Sequence, residues 1–139
     1  MSTPPEVLAH IDAVQAALET DPELTVYVGG APSAADGWSP PAQYAVLYPE
    51  PGRSLTESLA DRRTDFEAVF QVTCVGASVE RCLWVADRVR KALTPPLVVA
   101  GRLAWRARDE GGPPVQRDDD TNPPSWFVPV QYRIKSLPA

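Results

Sequence analysis

Residues 65–76, DFEAVFQVTCVG, alternate between two kinds of side chain. Every second residue is apolar: Phe66, Ala68, Phe70, Val72 and Cys74. The residues between them are mostly polar: Asp65, Glu67, Gln71 and Thr73. Successive side chains of a β-strand point to opposite faces of the sheet. The pattern therefore predicts a central strand with one face against the core and one face in water.

The segment after this strand predicts a helix. Ser78 follows Gly76 closely and is a residue type that caps helix N-termini. Apolar residues then recur at helical spacing until Pro95-Pro96 ends the pattern: Val79, Cys82, Leu83, Ala86, Val89 and Leu93. Trp84 lies opposite this stripe on a helical wheel, among Asp87, Arg88 and Lys91.

The N-terminal third predicts one helix and two strands. Thr3-Pro4-Pro5-Glu6 has the form of a capping box. Behind it runs a core stripe that ends before Asp21-Pro22: Val7, Ile11, Val14 and Leu18. Short strands are predicted over 24–28 and 44–48, with a loop over 31–41 between them, and the turn signal Pro49-Glu50-Pro51-Gly52 closes the second strand.

Residues 53–64 are ambiguous, because Ser54-Leu55-Thr56-Glu57 could cap a short helix or begin a mobile arm. Either alternative protrudes more than it packs. Further along, 97–99 and 103–107 could pair as a hairpin, and 109–124 is a polar, proline-rich loop. The chain closes with a strand that contains Pro129, which argues for a sheet edge or a bulge at that point.

Composition supports one mixed domain. The chain has 139 residues, a suitable length for a single core, and 16 prolines, which exclude an all-helical bundle. Helices and strands do not alternate regularly along the sequence. The expected fold is therefore α+β over residues 1–139, with two main helices packed on a mostly antiparallel or mixed sheet.

Charge and cysteine usage exclude several classes of function. The formal net charge is −5, whereas proteins that mainly bind phosphate groups, such as nucleic-acid-binding proteins, are usually positively charged. No apolar run is long enough to span a membrane, and residues 1–12 lack the features of a signal peptide, so the chain is expected in the cytoplasm. Cys74 and Cys82 match no metal or redox spacing and are interpreted as buried apolar residues.

The sequence contains no catalytic signature. Its one histidine, His10, lies on the flank of the first helical stripe and is interpreted as a boundary residue. No nucleophile elbow, phosphate loop or metalloprotease motif occurs. The chain is therefore expected not to be an enzyme and to need no cofactor.

Three features have more than one interpretation. Asp118, Asp119 and Asp120 form an acidic cluster that could be a solvated loop, a subunit contact or a cation site. Trp84 could anchor a protein contact, belong to a second buried layer or be simply exposed. The basic pair Arg62-Arg63 is interpreted first as surface charge.

The sequence resembles tail terminator proteins, also called tail completion proteins, of long-tailed phages, and those from actinobacterial hosts are most similar. Four segments and Leu93 carry the resemblance. The segments are 70–76 (FQVTCVG), 84–90 (WVADRVR), 115–120 (VQRDDD) and 130–133 (VQYR). The similarity runs from about Tyr44 onward and includes the N-terminal helix and the element order. It contains no catalytic motif.

The resemblance implies a structural protein of the virion tail or neck, assembled in the host cytoplasm. Such proteins form a hexameric ring that caps the tail tube, ends its polymerisation and presents an interface for head attachment. The implied partners are further copies of the chain, the major tail tube protein and a head–tail connector or stopper protein, with DNA passing through without specific binding. Arg62, Arg63, Trp84 and Arg88 are the expected subunit contacts. Asp118, Asp119 and Asp120 are expected to line the channel or an interface.

Two alternatives remain. A connector or stopper protein of the phage neck has a similar size and also forms rings. From a different class, a small-ligand-binding α+β module would need a pocket among Tyr44, Tyr48, Trp105 and Trp126.

Overall fold

The computed structural model describes residues 6–32, 37–55, 65–121 and 123–138. The elements in chain order are α1 (Val7–Glu19), β1 (Val26–Val28), β2 (Gln43–Pro49), β3 (Arg53–Leu55), β4 (Asp65–Gly76), α2 (Val79–Ala92), β5 (Arg102–Ala104), β6 (Arg108–Gly111), β7 (Gln116–Asp118) and β8 (Ser125–Pro138). The predicted α+β fold is confirmed.

Two long strands form the centre of the sheet. β4 and β8 pair antiparallel from Phe66 opposite Ser136 to Gly76 opposite Trp126. β2 and β3 lie one after the other along the free side of β4, and β1 extends the sheet parallel to β2. β5, β6 and β7 lie along the free side of β8. Each central strand is thus flanked by shorter strands placed end to end.

Both helices pack on one face of this sheet, and the core lies between them. The alternation predicted for 65–76 is confirmed, because all the even-numbered apolar residues from Phe66 to Cys74 are buried. They lie opposite even-numbered residues of β8, so the two strands form one apolar surface. At its centre the Phe70 ring stacks on Tyr132 with the ring centroids 5.5 Å apart.

Helix α2 begins where the sequence predicts. The Ser78 hydroxyl accepts a hydrogen bond from the Arg81 backbone N–H at 3.2 Å. Its apolar stripe is rotated from the prediction, because Val85 is buried while Val79 and Leu83 are exposed. A Cβ on Gly76 would lie 2.4 Å from the Cys82 backbone nitrogen. This close approach fixes the turn of α2 that faces the sheet, and the helical repeat then brings Val85 inward rather than Leu83.

Helix α1 begins at Val7, later than the predicted capping box, and its N-cap is Glu6 without a side-chain hydrogen bond. Thr3 lies outside the described residues. The predicted stripe residues Ile11, Val14 and Leu18 are buried. His10 is fully buried beside them, so its interpretation as a boundary residue was wrong.

Three predictions for the connecting segments need correction. The hairpin of 97–99 with 103–107 does not form, because Arg102–Ala104 pairs with the end of β8 instead. The predicted loop over 109–124 contains most of β6 and all of β7. The first residues of the predicted arm, Arg53–Leu55, form β3 rather than a helix start, and 56–64 lie outside the described residues. In each case a long neighbouring strand offers unpaired backbone groups, and this outweighs the local turn signals.

Pro129 confirms that proline in a strand marks an interruption in the pairing. It lies in β8 opposite the gap between β6 and β7. A Cβ on Gly112, in that gap, would lie 2.1 Å from the Pro129 carbonyl oxygen, so this carbonyl points toward the gap. The N–H and C=O of a strand residue point to the same side. A backbone N–H at position 129 would therefore point into the gap, where no strand pairs with β8. Because proline lacks this N–H, its presence costs the sheet no hydrogen bond.

Candidate assembly surfaces

The face of the sheet opposite the helices is open, and we call it the open face. A groove of about 430 Å³ runs across it over strands β2, β4 and β8. Tyr44 and Tyr48 form one wall, Phe127 and Pro129 form the other, and Thr73 lies between them. Apolar and aromatic walls with a few polar groups are typical of binding surfaces.

An aromatic cluster supports one end of this groove. The rings of Tyr27, Trp38 and Tyr44 meet edge to face, with centroids 5.6 to 5.7 Å apart. The Trp38 indole N–H donates a hydrogen bond to the Tyr27 hydroxyl at 3.2 Å. Such edge-to-face arrangements stabilise aromatic groups beyond their burial alone. The cluster holds the Tyr44 side of the groove in place.

The acidic residues 118–120 lie at the rim of the groove. Asp118 ends β7 and lines the groove, and its carboxylate accepts a hydrogen bond from the Asp120 backbone N–H at 3.0 Å. Asp119 is exposed and forms an ion pair with Arg117 at 2.6 Å. Burial raises the pKa of Tyr44, and the nearby charges of Tyr27, Tyr48 and Asp118 raise it further. The rim therefore carries negative charge beside an aromatic wall.

The other end of the open face carries an ion-pair network. Glu67 accepts hydrogen bonds from Arg53, at 3.2 Å, and from Arg133. Arg133 also donates to Glu110 at 2.8 Å. These groups join β3, β4, β8 and β6 across the sheet. Their charges are largely satisfied within the chain, so this end of the face is a poorer docking surface than the groove.

Trp84 and Arg88 lie together on the helical side of the molecule. The Trp84 ring is partly buried against the core, and the Arg88 guanidinium lies 4.7 Å from its centroid. Arg88 also forms ion pairs with Asp21, at 3.2 Å, and Glu23, at 3.3 Å. Both residues thus have partners in their own chain, and their role in a subunit contact stays a prediction. Arg62 and Arg63 lie outside the described residues.

We expect Trp84→Ala to lower the free energy of unfolding by about 1–3 kcal/mol, because its ring covers part of the core and stacks with Arg88. Chemical denaturation of the monomer measures this loss. Arg88→Ala is the matched control and should cost less than Trp84→Ala, because it removes the ion pairs and the stacking but leaves the Trp84 ring over the core. Unchanged unfolding of Trp84→Ala would mean that the ring is not part of the fold and is available for a partner.

The four residues of the suggested ligand pocket do not converge. Tyr44 and Tyr48 line the groove on the open face. Trp126 lies on the helical side against the core, with the Arg117 guanidinium 6.0 Å from its ring. Trp105 follows β5 and is about half exposed. The small-ligand alternative therefore loses the pocket on which it depended.

Burial favours the neutral forms of His10, Cys74 and Cys82. Burial lowers the pKa of His10, and it raises the pKa of Cys74 to about 12 and that of Cys82 to about 11. Within the described ranges, no group of three or more His, Cys, Asp or Glu side chains is placed to hold a metal ion. Among those same residues, no helix is long and apolar enough to cross a membrane.

Solved structures with this fold include a chain of a structure described as the virion of a native gene transfer agent particle. It aligns over 91% of this chain and 92% of its own length, with a TM-score of 0.59 and 18% identity. The two chains share a fold. A second protein, whose name states no function, aligns over 91% of this chain and 95% of its own, with a TM-score of 0.55 and 18% identity. No protein-family model matches the chain, and no functionally curated protein matches its sequence.

The sequence analysis missed the groove, although one signal for it was present. β2 carries apolar or aromatic residues on both faces, and Val46 and Val75 are buried even though they belong to the open face. A strand that is apolar on both sides indicates that something covers the second face. Trp38, assigned only to a loop, supplies part of that cover.

Proposed function

We propose that this protein is a structural component of a virion, and more specifically a tail terminator of a long-tailed bacteriophage. In this role it forms a ring on the end of the tail tube, stops tube polymerisation and provides the interface for head attachment. One observation carries the proposal: the fold matches a chain of a gene transfer agent virion over nearly the full length of both chains. The sequence resemblance to tail terminators supports the finer assignment.

The surfaces of the molecule suit a ring subunit. A ring requires a heterologous contact, in which one surface of each copy meets a different surface of the next. The open-face groove and the sheet edge along β5, β6 and β7 are two such different surfaces. Trp84 and Arg88, with Arg62 and Arg63, are a further proposed contact on the helical side.

The acidic rim has a role in this proposal. Asp118, Asp119 and Asp120 line either the channel of the ring or a contact between its subunits. In the channel, negative charge would repel phosphates and let DNA pass without binding. The partners are further copies of the chain, six in a ring as in the tail terminators that the sequence resembles, together with the tail tube protein and the head–tail connector. The protein acts without catalysis, at the neck or tail of the virion.

The proposal is tested by native mass measurement across a concentration series, with negative-stain imaging of the same samples. We expect closed rings near six times 15.1 kDa. Purified tail tubes are then added together with free tube subunits, and a terminator should stop tube growth at sub-stoichiometric amounts. Rings that leave growth unchanged would indicate a connector or stopper instead. A monomer that also fails to bind tube ends would overturn the proposal.

A further inference from the structure

The sheet edge ends in a segment that is both apolar and basic, residues 103–108. Leu103 is 62% exposed and Trp105 is 51% exposed, although both are large apolar residues. Arg106 and Arg108 are also exposed, and neither forms an ion pair within the part of the chain that the structure describes. A half-exposed tryptophan between apolar and cationic neighbours is typical of an interface anchor.

The open-face groove has the complementary character. Its walls are aromatic and apolar, and Tyr48 on one wall is 39% exposed. At its rim Asp118 carries a negative charge, and exposed Asp119 and Asp120 follow directly. An indole ring fits such walls, while guanidinium groups beside it would meet the carboxylates. The apolar walls and the negative rim therefore both favour residues 103–108 as the occupant of the groove.

The two surfaces cannot meet within one molecule. The Trp105 backbone N–H bonds to the Lys135 carbonyl, whereas the groove is lined by Phe127 and Pro129 of the same strand. Six residues of strand separate Pro129 from Lys135, which is roughly 20 Å. Tyr48 lies on β2, three strand spacings from the β5 edge, or about 14 Å across the sheet.

We propose that residues 103–108 of one copy dock into the open-face groove of the next copy, with Trp105 between the aromatic walls and Arg106 and Arg108 facing the acidic rim. The inference rests on the proposed ring function and names the contact that would build the ring. Because the two surfaces differ, the contact is heterologous and can repeat from copy to copy until it closes.

Cross-linking tests this contact directly. The double variant Ala31→Cys/Leu103→Cys places one thiol at the groove and one on the docking segment while keeping Trp105 and the aromatic walls. Treated with a bis-maleimide that spans about 8 Å, it should give covalent ladders of dimers up to the full ring. The native thiols are buried with raised pKa values, so they stay unreactive. The control Ala31→Cys/Leu8→Cys replaces Leu8, an apolar residue of α1 that is 65% exposed, and should give no ladder.

Charge reversal provides an independent second measurement. We expect Arg106→Glu/Arg108→Glu and Asp119→Arg/Asp120→Arg each to raise the concentration for half-assembly about tenfold or more, and an equimolar mixture of the two variants to assemble better than either alone. Thermal unfolding checks that each variant is folded. If the wild type forms rings while both charge reversals assemble normally and no ladder appears, this contact is overturned and the ring stands. If the wild type forms no ring even on tail tubes, the proposed function itself fails.

Discussion

Phe70→Ala should lower the free energy of unfolding by about 3–5 kcal/mol, the usual cost of removing a buried phenylalanine. The ring is fully buried at the centre of β4 and stacks on Tyr132, so its removal leaves a cavity between the sheet and the helices. For a chain of this length the Tm should fall by roughly 10 °C or more. Denaturant and thermal unfolding of the monomer measure both quantities.

Phe127→Ala is the matched control for this substitution. Phe127 lies on the open face of β8 and is only partly buried, so the same change should cost clearly less stability. Among folded molecules, Phe127→Ala should weaken assembly more than Phe70→Ala does. Equal losses of stability from the two variants would contradict the assignment of the core to the helical side of the sheet.

Acidification should destabilise the protein through His10. The His10 Nδ1–H donates to the Glu6 carbonyl at 2.8 Å, and its Nε2 accepts from the Ser136 hydroxyl at 2.6 Å. Ser136 in turn accepts from the Arg102 guanidinium at 2.8 Å. This chain of hydrogen bonds suits the neutral imidazole. Burial lowers the His10 pKa, and the Arg102 charge lowers it further, against the Glu6 hydrogen bond that raises it.

The sign of the pH effect follows from this shift. Above the ordinary pKa of 6.5 the imidazole is neutral in both the folded and the unfolded chain, and the full stability is present. As the pH falls from 6.5 toward the lower folded-state pKa, the unfolded chain binds a proton that the folded chain does not. Stability is therefore lost across that window, by about 1.4 kcal/mol for each unit of pKa difference.

Two measurements check this expectation. The Tm of the wild type should fall between pH 7.5 and pH 5.5 by more than the Tm of His10→Gln, in which only the carboxylates titrate. Because the chain has a single histidine, its imidazole signals can be followed by NMR without ambiguity. A folded-state titration at or above pH 6.5 would contradict the buried, neutral state.

The long elements were predictable because their patterns repeat often enough to outweigh local exceptions. β4 alternates from Phe66 to Cys74, and α2 has a capping serine and a terminating proline pair. The rotation of α2 was not predictable, because the choice between Val85 and Leu83 depends on how closely Gly76 lets the helix approach the sheet. That distance is a tertiary property which no residue spacing contains.

The short edge strands and the groove could not be predicted for a related reason. β5, β6 and β7 each have three or four residues, and their pairing is dictated by the unpaired side of β8 rather than by their own composition. The groove brings together Tyr44, Thr73 and Phe127, which are far apart in sequence. The acidic cluster was visible from the sequence, but its position beside Tyr44 required the strand registers.

The gap between β6 and β7 has a consequence for how copies of this chain avoid unwanted association. An exposed strand edge is a template on which another chain can add a strand and start a fibril. Here the edge beside β8 is divided into three short pieces, β5, β6 and β7, by residues 105–107 and by a gap that contains Pro113-Pro114, and a bulge interrupts β6 itself. An incoming strand would find no more than four consecutive residues to pair with. The edge therefore resists cross-β aggregation while leaving side chains such as Trp105 free for a specific contact.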